Sequence, residues 1–208
     1  MQYLLHYPDV ILKLVGQHLL ITLGALLVSV VIALPLGWLL YQHKKLADVV
    51  MGILGFIYTI PSIALMIFII PFLGLNAKTV IAAIVLYCQV ILVRNVLAGL
   101  KGIDPAVLEA ARGMGMDRWQ IAWKVQLPLA LPVILAGVRI AAVVSVAIAT
   151  VGAKFGSGGL GVLLFDGIAQ AGRYDKIWIG AILVGLIAFL LNRGLLAIEK
   201  RFTVRQNA

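Results

Sequence analysis

Charge is what this sequence has least of. Only 12% of its 208 residues are charged, and 63% are hydrophobic. A soluble domain carries about 25% charged residues. So little polar surface cannot cover a water-facing globule. This excludes an ordinary soluble enzyme, a disordered chain and a nucleic-acid-binding domain. Acidic residues are the scarcest, 8 against 17 Lys and Arg. No two of them pair within an apolar run, so there is no acid–base dyad and no nucleophile with its base. Cys88 is the sole cysteine. It excludes an internal disulfide and, set in an apolar run, reads as a small packed side chain. His6, His18 and His43 are scattered without metal-ligand spacing. There is no G-x-x-x-x-G-K-[ST] sequence, so no P-loop to cradle nucleotide phosphates. There is no internal repeat.

What is present is long apolar stretches. A bilayer crossing needs roughly 20 apolar residues. Charges delimit five such spans: residues 19–41, 49–72, 79–100 with Arg94 near one end, 129–151 carrying Arg139, and 177–198 with Arg193 close to its end. The expected fold is all-α and polytopic, and alternating polarity of the membrane-barrel kind is missing. The second span holds Pro61 and is expected to kink or unwind near Thr59-Ile60-Pro61-Ser62, because proline removes a backbone hydrogen bond. Residues 8–17 are expected to lie along the outer interface as a short amphipathic helix. The mixed start, with no small-residue cleavage site, argues against a cleavable signal peptide.

The net charge of +9 is unevenly placed. Eleven cations fall on one side: Lys44, Lys45, Arg94, Lys101, Arg112, Arg118, Lys124, Arg193, Lys200, Arg201 and Arg205. Five fall on the other: Lys13, Lys78, Lys154, Arg173 and Lys176. The richer side is expected to be cytoplasmic. The N-terminus is then outside and the C-terminus inside. The expected organisation is an external segment 1–16, a transmembrane domain 17–198 with a long loop 102–128, and a cytoplasmic tail 199–208.

That loop is the most informative segment. Asp104 before Pro105 is a helix N-cap followed by a favoured first residue. Gly113 and Gly115 permit a sharp turn. Asp117 can cap a second short helix over 118–126, which Pro128 is expected to end. Met116, Trp119 and Trp123 are too apolar for a solvated loop. They suit either a protein docking surface or anchors at the lipid headgroups.

Glu109-Ala110-Ala111, then three residues, Gly115, nine residues, and Val125-Gln126-Leu127-Pro128 resembles the EAA loop of permease subunits of bacterial ABC importers. Val125 in place of Ile is the one departure from that pattern. The resemblance covers nearly the whole chain and implies the type I, methionine-permease-like fold. It implies that Glu109, Ala110, Ala111, Gly115, Leu127 and Pro128 couple the chain to a separate ATP-binding subunit. ATP would be bound there, and no cofactor by this chain. The implied partners are two ATP-binding subunits, a second permease chain, an external substrate-binding protein and membrane lipid, in the bacterial cytoplasmic membrane. Tyr58-Thr59-Ile60-Pro61-Ser62 and Phe155-Gly156-Ser157-Gly158-Gly159-Leu160-Gly161 are similar to permeases for glycine betaine, choline or carnitine. An amino acid such as methionine is the alternative substrate class.

Three signals remain. Gly156-x-Gly158-x-x-Gly161 matches a dinucleotide fingerprint but lacks the preceding strand, so it reads as an external glycine-rich turn. Arg139 lies inside the fourth span, either as a polar contact between helices, a pathway group or a side chain snorkelling to the cytoplasm. Tyr58, Pro61, Ser62 and Arg139 are the candidate pathway residues, with Phe56, Phe68, Phe72 and Tyr87 as aromatic neighbours. A stand-alone channel or carrier is the competing class, but it needs carboxylates within the spans for ion coupling.

Overall fold

The computed structural model describes residues 6–170 and 172–204, nearly all of them helical. Positions 1–5, 171 and 205–208, the last four belonging to the expected tail and including Arg205, lie outside the described residues. Helix α1 is Pro8–Gln42, α2 Lys44–Thr59, α3 Ser62–Leu73 and α4 Ala77–Lys101. The loop holds α5 Pro105–Gly113 and α6 Arg118–Ile121, then a π turn Ala122–Gln126. Next come α7 Leu127–Gly152, a 3-10 turn Ala153–Phe155, α8 Gly161–Ala169 and α9 Tyr174–Val204.

The trunk is α1, α4 and α7, packed around Ala25, Ala33, Ile84, Cys88, Val93 and Ala141. Small residues let the helices approach closely, as membrane bundles require. A Cβ on Gly137 of α7 would stand 2.6 Å from the Cβ of Asn95 on α4. At mid-height the Gln89 amide donates to the Ser29 carbonyl (3.2 Å), and Cys88 Sγ lies 3.4 Å from Ser145 Oγ. Buried hydroxyls also bond within their own helices, as Ser29 does to the Ala25 carbonyl.

These contacts fix the order of crossings. Gly37 meets Val96, so α1 and α4 run parallel. Gly99 meets Ala130 while Gly152 meets Val80, so α4 and α7 run antiparallel. The α1 C-terminus and the loop share one end of the bundle. Residues 75–76 and 156–159 share the other, where Gly159 N–H donates to Gln17 Oε1 (3.1 Å). The chain therefore crosses the slab between Gln42 and Asn76 through α2 and α3. Together with α9 this gives the five crossings expected.

The second crossing is broken more sharply than a kink. Helices α2 and α3 meet at 100° across Ile60 and Pro61. Residues 8–17 are a correction. They do not form a separate interfacial helix; they continue into α1, a helix of roughly 52 Å at 1.5 Å per residue. Ile11 and Leu14 are buried with Leu160, Leu163 and Ile179. That cover comes from α8, its preceding turn and α9, and it is worth more to these side chains than a place at the interface.

Candidate functional site: the loop between α4 and α7

Each end of α5 is set by local chemistry. Asp104 Oδ1 accepts from Ala106 N–H (2.9 Å), and Pro105 is the first helical residue. At the other end Gly115 N–H donates to the Arg112 carbonyl (2.9 Å) and Met116 N–H to the Ala111 carbonyl (3.2 Å). This pair of bonds is the Schellman C-terminus, which needs a left-handed residue after the cap. Gly115 has φ +78° and supplies it. Gly113 does not share the turn as expected; it is the last residue of α5.

Asp117 opens the next helix with a complete capping box. Its Oδ1 accepts from Gln120 N–H (2.8 Å), and Gln120 Oε1 accepts from Asp117 N–H (3.0 Å). Pro128 does not end this helix, contrary to the sequence expectation. Leu127 N–H donates to the Ala122 carbonyl in a π turn, and the chain runs on into α7. A proline clashes with the carbonyl four residues earlier only in α register. The π turn shifts that register and carries the helix past Pro128.

The motif residues divide by surface. Ala111 is buried, Leu127 half-buried, and Glu109, Ala110, Gly115 and Pro128 are exposed. Glu109 forms no ion pair among the described residues. Leu108 and Leu127 pack on Leu100, Ile103 and Ala130, so α5 is fastened to the ends of α4 and α7. Met114, Trp119 and Trp123 are 71%, 73% and 64% exposed.

The pathway candidates separate. Tyr58, Pro61 and Ser62 gather at the α2–α3 break, and the Tyr58 ring lies 5.4 Å from that of Tyr87. Phe56, Phe68 and Phe72 face outward from the chain. Arg139 stands apart from these. Its Nε donates to Glu199 Oε2 (2.9 Å) and its Nη1 to Asn192 Oδ1 (3.3 Å), tying α7 to α9. Glu199 lies one residue past the expected fifth span but inside α9, so no partner for Arg139 was legible from the span boundaries.

At the opposite end, Gly156, Gly158 and Gly159 all have positive φ, and the turn they form seats on Gln17 and His18 of α1. It is a packed structural turn, and the short helix α8 follows it directly. Nearby, Lys154 Nζ lies 5.2 Å over the Phe165 ring.

Residues 25–204 match the family described as binding-protein-dependent transport system inner membrane component. The chain belongs to this family. The match takes in the whole loop and all helices from α2 to α9. Among relatives of this inner-membrane component is the carnitine transport permease protein OpuCB of Listeria monocytogenes, 39% identical over 90% of this chain and 85% of that protein. The osmoprotectant import permease protein OsmW of Salmonella typhimurium is 36% identical over 91% and 90%. The glycine betaine/carnitine/choline permease protein OpuCB of Bacillus subtilis is 35% identical over 90% and 86%. In structure the chain resembles a subunit of the MetNI methionine ABC transporter in an inward-facing conformation. The TM-score is 0.85 and the identity 25%, over 93% of this chain and 96% of that one. The expected ABC-importer permease fold is therefore present, and the chain is a transport subunit.

Proposed function

We propose that the chain is the membrane-spanning subunit of an ATP-driven importer for an osmoprotectant of the glycine betaine, carnitine or choline type. The observation that carries this is the 35–39% identity to permeases of such systems over about nine-tenths of the chain. The likeness to the methionine transporter is weaker in sequence, at 25% identity, and speaks to shared architecture.

The loop docks on an ATP-binding subunit through Glu109, Ala110 and Gly115, with Ala111 buried behind that face and Leu127 and Pro128 joining it to α7. Two features of the loop support this. Its tip is apolar and exposed at Met114, while its base is fastened to the trunk. The π turn leaves no break between α6 and α7. A displacement of α5 is thus passed to α4 and α7 as whole helices. ATP binding on the partner subunits draws two such loops together and opens the pathway toward a loaded external binding protein. Two permease chains form that pathway. The bias of Lys and Arg toward the loop end supports a cytoplasmic loop and an external N-terminus.

Tyr58, Pro61 and Ser62 are assigned to the pathway. A broken helix at bilayer depth must meet protein or a water-lined cavity, since lipid offers its backbone no partners. Arg139 is assigned instead to the α7–α9 clamp.

The test is uptake of radiolabelled glycine betaine, carnitine, choline and methionine. It uses cells lacking their own uptake systems that express the chain with its ATP-binding subunit and binding protein. Accumulation of one of the first three is expected. Accumulation of methionine alone would overturn the substrate class.

A further inference from the structure

Two cavities meet at the loop end of the bundle. The first, of about 340 Å³, has walls of apolar and aromatic side chains, among them Leu34, Trp38, Leu100 and Ile134. The second, of about 630 Å³, shares Trp38, Trp119 and Ala122 with it and is lined also by Arg112 and Arg118. No carboxylate lines either cavity. Neither arginine forms an ion pair among the described residues. Trp119 borders both chambers and is largely exposed.

The depth of the two chambers differs in a telling way. Leu34 lies eight residues before Gln42 on α1, or roughly 12 Å along the helix at 1.5 Å per residue. Gln42 lines the basic chamber and Leu34 the apolar one. With the loop at a membrane face, the apolar chamber would reach toward the hydrocarbon layer and the basic chamber would lie at headgroup level, where tryptophans concentrate. Basic pockets between membrane helices suit anionic headgroups. A zwitterionic head would bring its own cation toward two unpaired arginines; an anionic head would not.

We propose that an anionic phospholipid occupies this pair of chambers, with an acyl chain in the apolar cavity and its phosphate against Arg112 and Arg118. The site joins α1 to the loop. It rests on the permease reading only in requiring that the loop lie at a membrane face.

The test uses the transporter assembled with its ATP-binding subunits in lipid nanodiscs. Trp178→Phe removes the tryptophan outside the site. Fluorescence quenching of the remaining three is compared for brominated phosphatidylglycerol and brominated phosphatidylcholine at equal small mole fraction. Quenching by the anionic lipid is expected to be several-fold stronger. Arg112→Gln with Arg118→Gln should equalise the two lipids, and the corresponding Lys pair should keep the preference. Equal quenching in the Trp178→Phe protein, or a preference that survives in the Gln pair, would overturn the proposal. So would absence of quenching by both lipids, which would mean a protein partner fills the groove. The readout involves no transport, so loss of uptake with quenching intact counts against the function and not against the lipid site.

Discussion

Replacing Gly115 isolates the turn that ends α5. A Cβ there meets nothing within 4 Å, so bulk is not the obstacle. The backbone is: φ is +78°. A non-glycine residue in this left-handed region costs roughly 1–2 kcal/mol. Asn tolerates it better than Ala, and a β-branched residue worse. One or two kcal/mol is a factor of about 5–30 in an equilibrium constant. If docking needs the Schellman turn formed, Gly115→Ala should weaken binding of the ATP-binding subunit by about that factor. Gly115→Asn should weaken it less and Gly115→Val more. Affinity of the purified ATP-binding subunit for membranes carrying each variant gives the ranking, with permease levels checked by immunoblot. Equal loss in all three variants would refute the conformational argument and point to simple steric blockade of the interface.

Other perturbations address separate contacts. Asp117→Ala removes the side-chain half of the capping box, leaving the residue-117 N–H bond to Gln120 Oε1, and should cost about 1 kcal/mol locally, read as faster amide exchange over Arg118 to Ile121; unchanged exchange would count against it. Breaking the Arg139–Glu199 pair with either Gln substitution should cost about 1–3 kcal/mol, because the side chains are only 27% and 19% exposed. The double variant should cost less than the sum of the singles in a melting series, and strict additivity would mean the two groups do not interact. Gly137→Val forces α7 from Asn95 on α4 and should cost about 1–3 kcal/mol, lowering the melting temperature of the purified chain. Reporter fusions after Lys45 and Gly102 should be cytoplasmic and those near Asn76 and Gly172 external; the reverse pattern would invert the topology.

The crossings were legible because a charge inside hydrocarbon is expensive, so uncharged stretches end where helices leave it. The expected third span over 79–100 differs from α4 by two residues at its start and one at its end. The loop was legible for a different reason: Asp104-Pro105, Gly115 and Asp117 act on backbone groups within four residues of themselves. Features that depend on distant partners were not. Residues 8–17 looked interfacial because their cover, Leu160 and Ile179, lies far along the chain. Pro128 looked like a stop because propensity assumes α register, and the π turn before it removes that assumption. Which of its three readings Arg139 follows was not legible because its partner Glu199 stands one residue beyond the last apolar span.

This chain should carry substrate only when an ATP-binding subunit acts on its loop. Proteoliposomes holding the chain, with and without that subunit, and supplied with loaded binding protein and ATP, test it directly through accumulation of labelled osmoprotectant. Accumulation above the external concentration is expected when the ATP-binding subunit and ATP are both present, and none when either is withheld. Uptake that persists without the ATP-binding subunit would contradict it and make the chain a carrier or channel in its own right.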